Sequence, residues 1–171
     1  MTHLSILPLR LKKLLVPVFL CCSLAGSAQP DPPRPIIVTA NPAQGLIFGA
    51  FFQGTSGGTV IVLADGSRSS TGSIVLANLG YAFSPAMYEI DANVGTLISI
   101  MNGPDITLTG SNGGSISLHI GAASTGASFT TTAVSPATTS VRIGGTLTIG
   151  TALANPSGSY SGSYMVTFIQ Q

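Results

Sequence analysis

Residues 115–120 read Ser-Ile-Ser-Leu-His-Ile, and this alternation decides the fold class. Successive side chains of a β-strand point to opposite faces, so Ile116, Leu118 and Ile120 share one face while the serines and His119 share the other. A strand with one apolar and one polar face is typical of a sheet that covers a core on one side and meets water on the other. The stretch therefore predicts a layered β-protein.

Similar strand-like runs continue in both directions from this segment, separated by glycine-containing turns. They are Ile36–Ala40, Leu46–Phe52, Thr59–Ala64, Ser73–Asn78, Ala86–Ala92, Thr96–Met101, Ile106–Thr109, Ser115–Ile120, Ser128–Val134, Val141–Ile149 and Ser161–Ile169. The dipeptides Asp65-Gly66, Asn102-Gly103 and Asn112-Gly113 are typical of turns that need a positive φ. No run has helical periodicity, so we expect an all-β, two-sheet β-sandwich of about 8–10 strands.

The last of these runs supports two layers. One of its faces carries Tyr160, Gly162, Tyr164, Val166 and Phe168. The opposite face is polar except for Met165 and Ile169. A strand that is apolar on one face and mixed on the other fits a two-layer sandwich.

The first 28 residues have the three-part plan of a secretory signal peptide. Basic residues at positions 10–13 precede an apolar run at Leu14–Leu24, and small residues follow up to Ala28. The run is shorter than the roughly 20 residues of a membrane-spanning helix. A lipoprotein signal at Cys21 or Cys22 is the alternative, but the bulky Leu20 disfavours it.

Removal of residues 1–28 would leave a Pro-rich leader at 29–35 and a single β-sandwich domain at 36–171. Both cysteines leave with the signal, so the mature domain has no disulfide. Three arginines against five carboxylates leave it a net charge of about −2. No basic patch remains, and nucleic acid is not an expected partner.

Charged residues make up only 6% of the chain, whereas an average soluble domain has about 25%. Apolar residues make up 44%, so the low charge does not indicate disorder. A surface of hydroxyl groups, amides and glycine repels other copies weakly. Such a surface suits a protein that packs against copies of itself or against a polar matrix.

No residue pattern predicts catalysis, and we expect no catalytic, cofactor-binding or metal site. His119 is the one histidine after the signal, but serines surround it on a polar face and there is no G-x-S-x-G elbow. We therefore interpret His119 as a solvent-exposed residue.

Glu89 and Asp91 lie two apart in a strand, so both carboxylates project from one face. Such a pair can serve glycoside hydrolysis or bind calcium, and Asp91, Asn93 and Gly95 resemble the start of a calcium loop. The twelfth position of that loop is Asn102 in place of Glu, so two solvated acids are the favoured interpretation.

Other candidate binding features also have plain structural explanations. The segments GTSGG (54–58) and SNGGS (111–115) precede no helix, so we interpret them as hairpin loops rather than phosphate cradles. Tyr81, Phe83 and Tyr88 are candidates for a sugar-stacking platform, but core or edge packing is favoured because aromatic residues are scarce.

Two segments resemble a known family. Residues 38–72 contain L-x-F-G and G-x-V-x-V, and residues 143–171 end in G-G-x-L-x-I-G followed by G-x-Y-x-G-x-Y-x-V-x-F. Their order resembles DUF4402, a family of secreted bacterial β-domains that is similar in layout to spore coat protein U and pilin-type subunits. The resemblance implies an immunoglobulin-like sandwich exported to the cell surface, and it implies no chemistry. The penultimate residue, Gln170, differs from the aromatic that pilins have there, and the disulfide of coat-type pilins is missing.

These observations predict a secreted, non-catalytic structural or adhesive surface subunit. Its expected location is the periplasm, the cell surface or the extracellular space. The expected partners are copies of itself or other surface subunits, without nucleic acid and without a membrane span in the mature chain. The alternative function is a secreted carbohydrate-binding module.

The segment Ile36-Ile37-Val38-Thr39-Ala40 is a possible donor strand for another copy. Ile36, Val38 and Ala40 share a face, which is the alternation that a groove with side-chain pockets accepts. The favoured interpretation is that the segment is the first strand of its own domain, because sequential strands usually pair locally.

Overall fold

The computed structural model of the protein describes residues 34–171, and this part of the chain is all-β without a helix. The predicted signal peptide at 1–28, and most of the leader at 29–35, lie outside the described residues. The strands are β1 (Ile37–Ala40), β2 (Ile47–Phe48), β3 (Phe51–Val62), β4 (Arg68–Leu76), β5 (Phe83–Ser84), β6 (Ala86–Asp91), β7 (Leu97–Asn102), β8 (Ile106–Gly110), β9 (Ser115–Ala123), β10 (Ser128–Thr130), β11 (Thr139–Ile149), β12 (Tyr160–Ser161) and β13 (Val166–Gln170).

The strands form antiparallel sheets packed as a β-sandwich, as the sequence predicts. The larger sheet has eight strands, six of which follow the path β1-β6-β11-β9-β8-β12. Of the other two, β3 pairs with β11 and β4 pairs with β3. A second sheet has the order β10-β7-β13, and β2 pairs with β5. Four of these strands are only two or three residues long, and the nine longer ones agree with the predicted number.

The core lies on the apolar faces that alternation predicts. Ile116, Leu118 and Ile120 are buried in β9. The alternating residues Ser115, Ser117 and His119 are exposed. Other fully buried side chains come from several strands: Val60, Val62, Ile90, Ile98, Val141 and Ile143. With no cysteine among the described residues, burial of these aliphatic groups and strand pairing supply the stability.

Strand β11 is the centre of the large sheet. Its first half pairs with β6 and its second half with β3 on the same side, while β9 pairs along the other side. The pairing with β9 shifts between Ile143 and Gly145. Gly144 lies at this shift, where a Cβ would overlap the carbonyl oxygen of Val62. The lack of a side chain thus allows β3 to approach the bulge.

Residues 54–58 do not form the predicted hairpin loop. They continue β3, and the pairing of β3 with β4 shifts register between Gln53 and Gly58. Gly57 has a positive φ of 69°, so the GTSGG glycines build a bulge within one long strand. The second predicted loop, 111–115, does connect a hairpin, between β8 and β9.

The single strand predicted at Ser161–Ile169 is also wrong. Tyr160 and Ser161 pair with β8 in the large sheet, whereas β13 pairs with β7 in the small sheet. The chain crosses between layers here, so Tyr160, Tyr164, Val166 and Phe168 all pack against the core as expected. Side chains that point to the core in one sheet still point to the core after the chain enters the other sheet. The alternation in the sequence therefore does not reveal the change of sheet.

The chain also changes sheet after β7, where Asn102-Gly103 was expected to form a positive-φ turn. Gly103 is not among the positive-φ glycines, and its N–H donates to the carbonyl of Met165 beside β13. Gly66 and Gly113, in the other two predicted turns, do have positive φ.

Candidate functional site

The predicted donor segment lies at one edge of the large sheet. Ile37–Ala40 pair with β6 of the same chain, from Ile37 opposite Asp91 to Ala40 opposite Tyr88. Arg34, just before the strand, holds Asp91 through an Nη2–Oδ1 ion pair of 2.6 Å. The structure therefore describes this segment as the first strand of its own domain.

The side chains of β1 alternate as predicted. Val38 lies opposite the buried Ile90, so Ile36, Val38 and Ala40 lie on the face that β6 turns to the core. Ile36 packs against the core, yet Val38 remains 38% exposed. No described strand lies beyond β1, which leaves this end of the core open.

The last strand, β13, is an edge of the small sheet, and its register shows which groups are free. Gly103 N–H donates to Met165 and Gln171 N–H donates to Leu97, both at 2.9 Å. Hydrogen-bonded pairs alternate along an antiparallel ladder, so Thr167 and Ile169 also direct their backbone groups toward β7.

The residues between them direct their backbone groups away from β7. These are Val166, Phe168 and Gln170, and among the described strands β13 pairs with β7 alone. Three N–H donors and three carbonyl acceptors thus line an edge without a described partner. Such a row of groups is a template for pairing with another strand.

The two layers meet near this edge through aromatic contacts. The rings of Tyr88 on β6 and Phe168 on β13 have centroids 5.3 Å apart, and the Tyr88 hydroxyl donates to the Tyr164 hydroxyl at 3.3 Å. Burial, and secondly the contact with Tyr88, raises the pKa of Tyr164 well above its ordinary value. The contact therefore favours a neutral phenol between the layers.

His119 projects from the exposed face of β9, as predicted. Its Nδ1 lies 2.7 Å from Oδ1 of Asp105, and the histidine side chain is 64% exposed. Among the described residues the ring hydrogen-bonds only to Asp105. A histidine with an orienting carboxylate resembles two parts of a triad, but no described serine hydroxyl bonds to it.

Glu89 and Asp91 share the outer face of β6 but have separate partners. Glu89 accepts hydrogen bonds from the hydroxyls of Thr138 at 2.5 Å and Ser140 at 2.7 Å. Asp91 pairs with Arg34. Each carboxylate is thus bound by separate donors of the protein.

The three aromatic residues considered for sugar stacking differ in their contacts and in their exposure. Tyr88 packs against Phe168 between the layers, whereas the Arg68 guanidinium lies 4.4 Å from the centroid of the Phe83 ring. Tyr81 is 68% exposed. Tyr81 and Phe83 therefore remain as surface aromatics, and Tyr88 is an interior residue.

A shallow apolar depression of about 130 Å³ lies where the bulge of β11 meets β3 and β9. Val62, Gly121 and Gly144 contribute to its wall, and none of its lining residues is titratable. The depression has space for a small apolar group, and its lining has no acidic or basic side chain.

The free edge of β13 is the feature that sequence reasoning missed. The signal for it was present, because residues 160–171 alternate without one charged residue or proline. Edge strands usually carry such blocking residues, so their absence marks a strand suited to pairing. Which strand becomes an edge depends on the pairing of distant segments, which the local pattern does not contain.

These features define an all-β sandwich domain with unpaired strand edges, and within residues 34–171 no helix is long and apolar enough to cross a membrane. The sequence profile of DUF4402, a domain of unknown function, matches residues 38–169. The chain therefore belongs to the DUF4402 family. Comparisons with curated proteins and with solved structures found no significant match.

Proposed function

We propose that the protein is an exported, non-catalytic structural or adhesive subunit of the bacterial cell surface that associates by β-strand addition. The observation that carries this proposal is the free edge of β13, with three consecutive outward-directed donor–acceptor pairs. Addition of a strand there would continue a sheet with main-chain hydrogen bonds, as in other strand-addition complexes.

The composition of the surface supports the same proposal. Charged residues make up 6% of the chain, so two copies meet with little electrostatic repulsion. The predicted signal peptide at 1–28 would deliver the protein outside the cytoplasm, where such subunits assemble.

Within this proposal, β1 works as a resident strand and not as the donor. Its pairing with β6 and the Arg34–Asp91 ion pair hold it in its own sheet. Deletion of residues 29–40 tests this role. We expect a destabilised domain whose association at the β13 edge persists. Loss of association that is restored by an added peptide of residues 36–40 would instead identify the segment as a donor.

The function itself is tested on the secreted protein and on intact cells. We expect sedimentation velocity to show association that increases with concentration, and a labelled antibody to stain the cell surface. A protein that remains monomeric at every concentration and is absent from the surface would contradict the proposal. So would a hydrolytic activity that disappears in His119→Ala.

A carbohydrate-binding module is the second candidate, favoured by the exposure of Tyr81 and Phe83. Exposed aromatic rings stack on sugars, and loss of such stacking weakens binding. A glycan array with the wild type and Tyr81→Ala separates the two functions. Saccharide binding that is lost in Tyr81→Ala, but retained in the interior variant Tyr88→Phe, would favour the binding module.

A further inference from the structure

We infer that two copies of this chain pair through their β13 edges, antiparallel and about a two-fold axis at Phe168. The inference rests on the proposed function, because it names the partner and the register of the strand addition. The paired edges would join two three-stranded sheets into one continuous sheet.

The register of the free groups is self-matching. The backbone N–H and C=O groups of Val166, Phe168 and Gln170 point away from β7. Val166 and Gln170 lie at equal distances along the strand on either side of Phe168. A two-fold axis at Phe168 places it opposite its equivalent and places Val166 opposite Gln170 of the second copy. Every free N–H then meets a free carbonyl, which gives about six hydrogen bonds across the axis.

The edge also has no feature that would prevent pairing. Residues 160–171 contain no charged side chain and no proline, so the paired strands bring no like-charged side chains together. The edge strand β1 of the large sheet, by comparison, follows Pro35 and lies beside the charged residues Glu89 and Asp91. Natural edge strands are blocked by such charges and prolines, so β13 is the less protected edge of the two.

The outer face of the small sheet has exposed apolar side chains on β13 and on the neighbouring strand β7. Met165 is 68% exposed and Met101, opposite Thr167, is 59% exposed. Ile169 also points outward, and in the proposed register it lies directly beside Thr167 of the second copy. A closed pairing of identical edges joins two copies only at this contact, because each copy has one β13 edge.

Cysteine cross-linking tests this register, since the only cysteines of the chain lie in the predicted signal peptide. In the proposed dimer, residue 167 lies opposite residue 169 of the second copy in a non-hydrogen-bonded pair, with Cα atoms about 4.5 Å apart. That separation suits a disulfide. Each residue is about 7–8 Å from its own equivalent, which is too far.

We therefore expect a mixture of the Thr167→Cys and Ile169→Cys variants to form a disulfide-linked heterodimer under mild oxidation. Either variant alone should form at least about tenfold less linked dimer over the same time. Both side chains are exposed, so the fold is retained. Thr107→Cys on the exposed face of β8 is the matched control, and it should not link to Ile169→Cys.

The outcomes separate this inference from the proposed function. Association of the wild type without the 167–169 link, or with equal linking of every variant, would overturn the two-fold register and leave strand addition in place. A wild type that is monomeric throughout, together with cysteine variants that form no link, would overturn both. A selective 167–169 link supports both.

Discussion

At the scale of single residues, the contact between Tyr88, Tyr164 and Phe168 joins the two layers. Tyr164 reaches the Tyr88 hydroxyl at 3.3 Å, and the Tyr88 ring lies beside Phe168. Burial opposes ionisation of Tyr164, because the phenolate would lose hydration. The folded protein therefore favours the neutral form of Tyr164 over the phenolate.

This gives a prediction for alkaline pH. The folded-state pKa of Tyr164 is raised above the ordinary value of 10.0, so the folded state binds more protons than the unfolded state above that pH. The stabilisation is complete below pH 10.0 and is lost progressively as the pH rises above it. In Tyr164→Phe, the free energy of unfolding in urea should fall less steeply in this range than in the wild type. The exposed Tyr81→Phe is the control and should keep the wild-type slope.

Sequence reasoning was successful for the orientation of side chains and unsuccessful for their partners. Alternation alone predicted that Ile116, Leu118 and Ile120 are buried and that His119 is exposed. It did not predict the bond of His119 to Asp105 or the ion pair of Asp91 with Arg34. Alternation is a local property, whereas each partner comes from a segment elsewhere in the chain.

At the scale of elements, the bulge at Gly144 lets β11 pair with β6 and then with β3. A side chain at this position would overlap the Val62 carbonyl, which belongs to the paired strand β3. A backbone atom in a sheet interior yields little, so the strands would have to separate locally. The element therefore depends on one residue type at this position.

We predict that Gly144→Ala lowers the free energy of unfolding by about 1–3 kcal/mol, the usual cost of overpacking. Gly45→Ala is the matched control, since no atom lies within 4 Å of a Cβ there and its φ is not positive. The control should be neutral or more stable by up to about 1 kcal/mol, because alanine restricts the unfolded chain. Urea unfolding measures both, and equal stability of the two variants would contradict the role of Gly144.

The elements that local pattern misjudged are those that change partner. The GTSGG segment was expected to be a loop because glycines mark turns, but here they form the bulge of β3. The run at 161–169 was expected to be one strand, but its beginning pairs with β8 and its end pairs with β7. Glycine content and alternation are the same in either case, so only long-range pairing distinguishes them.

At the scale of the whole molecule, the low charge of the surface favours association at the β13 edge. The β13 edge and its outer face are uncharged, and Met101, Met165 and Ile169 lie exposed on that face. Association there would depend on main-chain hydrogen bonds and apolar burial. Neither of these is screened by salt.

We accordingly predict that self-association of the wild type is nearly independent of ionic strength. Ile169→Lys should raise the dissociation constant by about tenfold or more, because two ammonium groups then flank the axis and apolar contact is lost. Thr107→Lys adds the same charge on exposed β8 and should have little effect. Sedimentation equilibrium measures these constants. Similar weakening by both variants would show that net charge, and not the β13 edge, controls association.

The sequence by itself determined the all-β class, the faces that form the core and the family. These properties depend on alternation, turn residues and motif order, which are local or linear. Only the tertiary structure decided that Ile37–Ala40 pairs with β6, that Tyr88 is an interior residue and that β13 is an open edge. The physical reason is that a strand carries the same alternation at the centre or edge of a sheet. Its neighbours come from segments far away in the chain, and their presence or absence determines which backbone groups remain free.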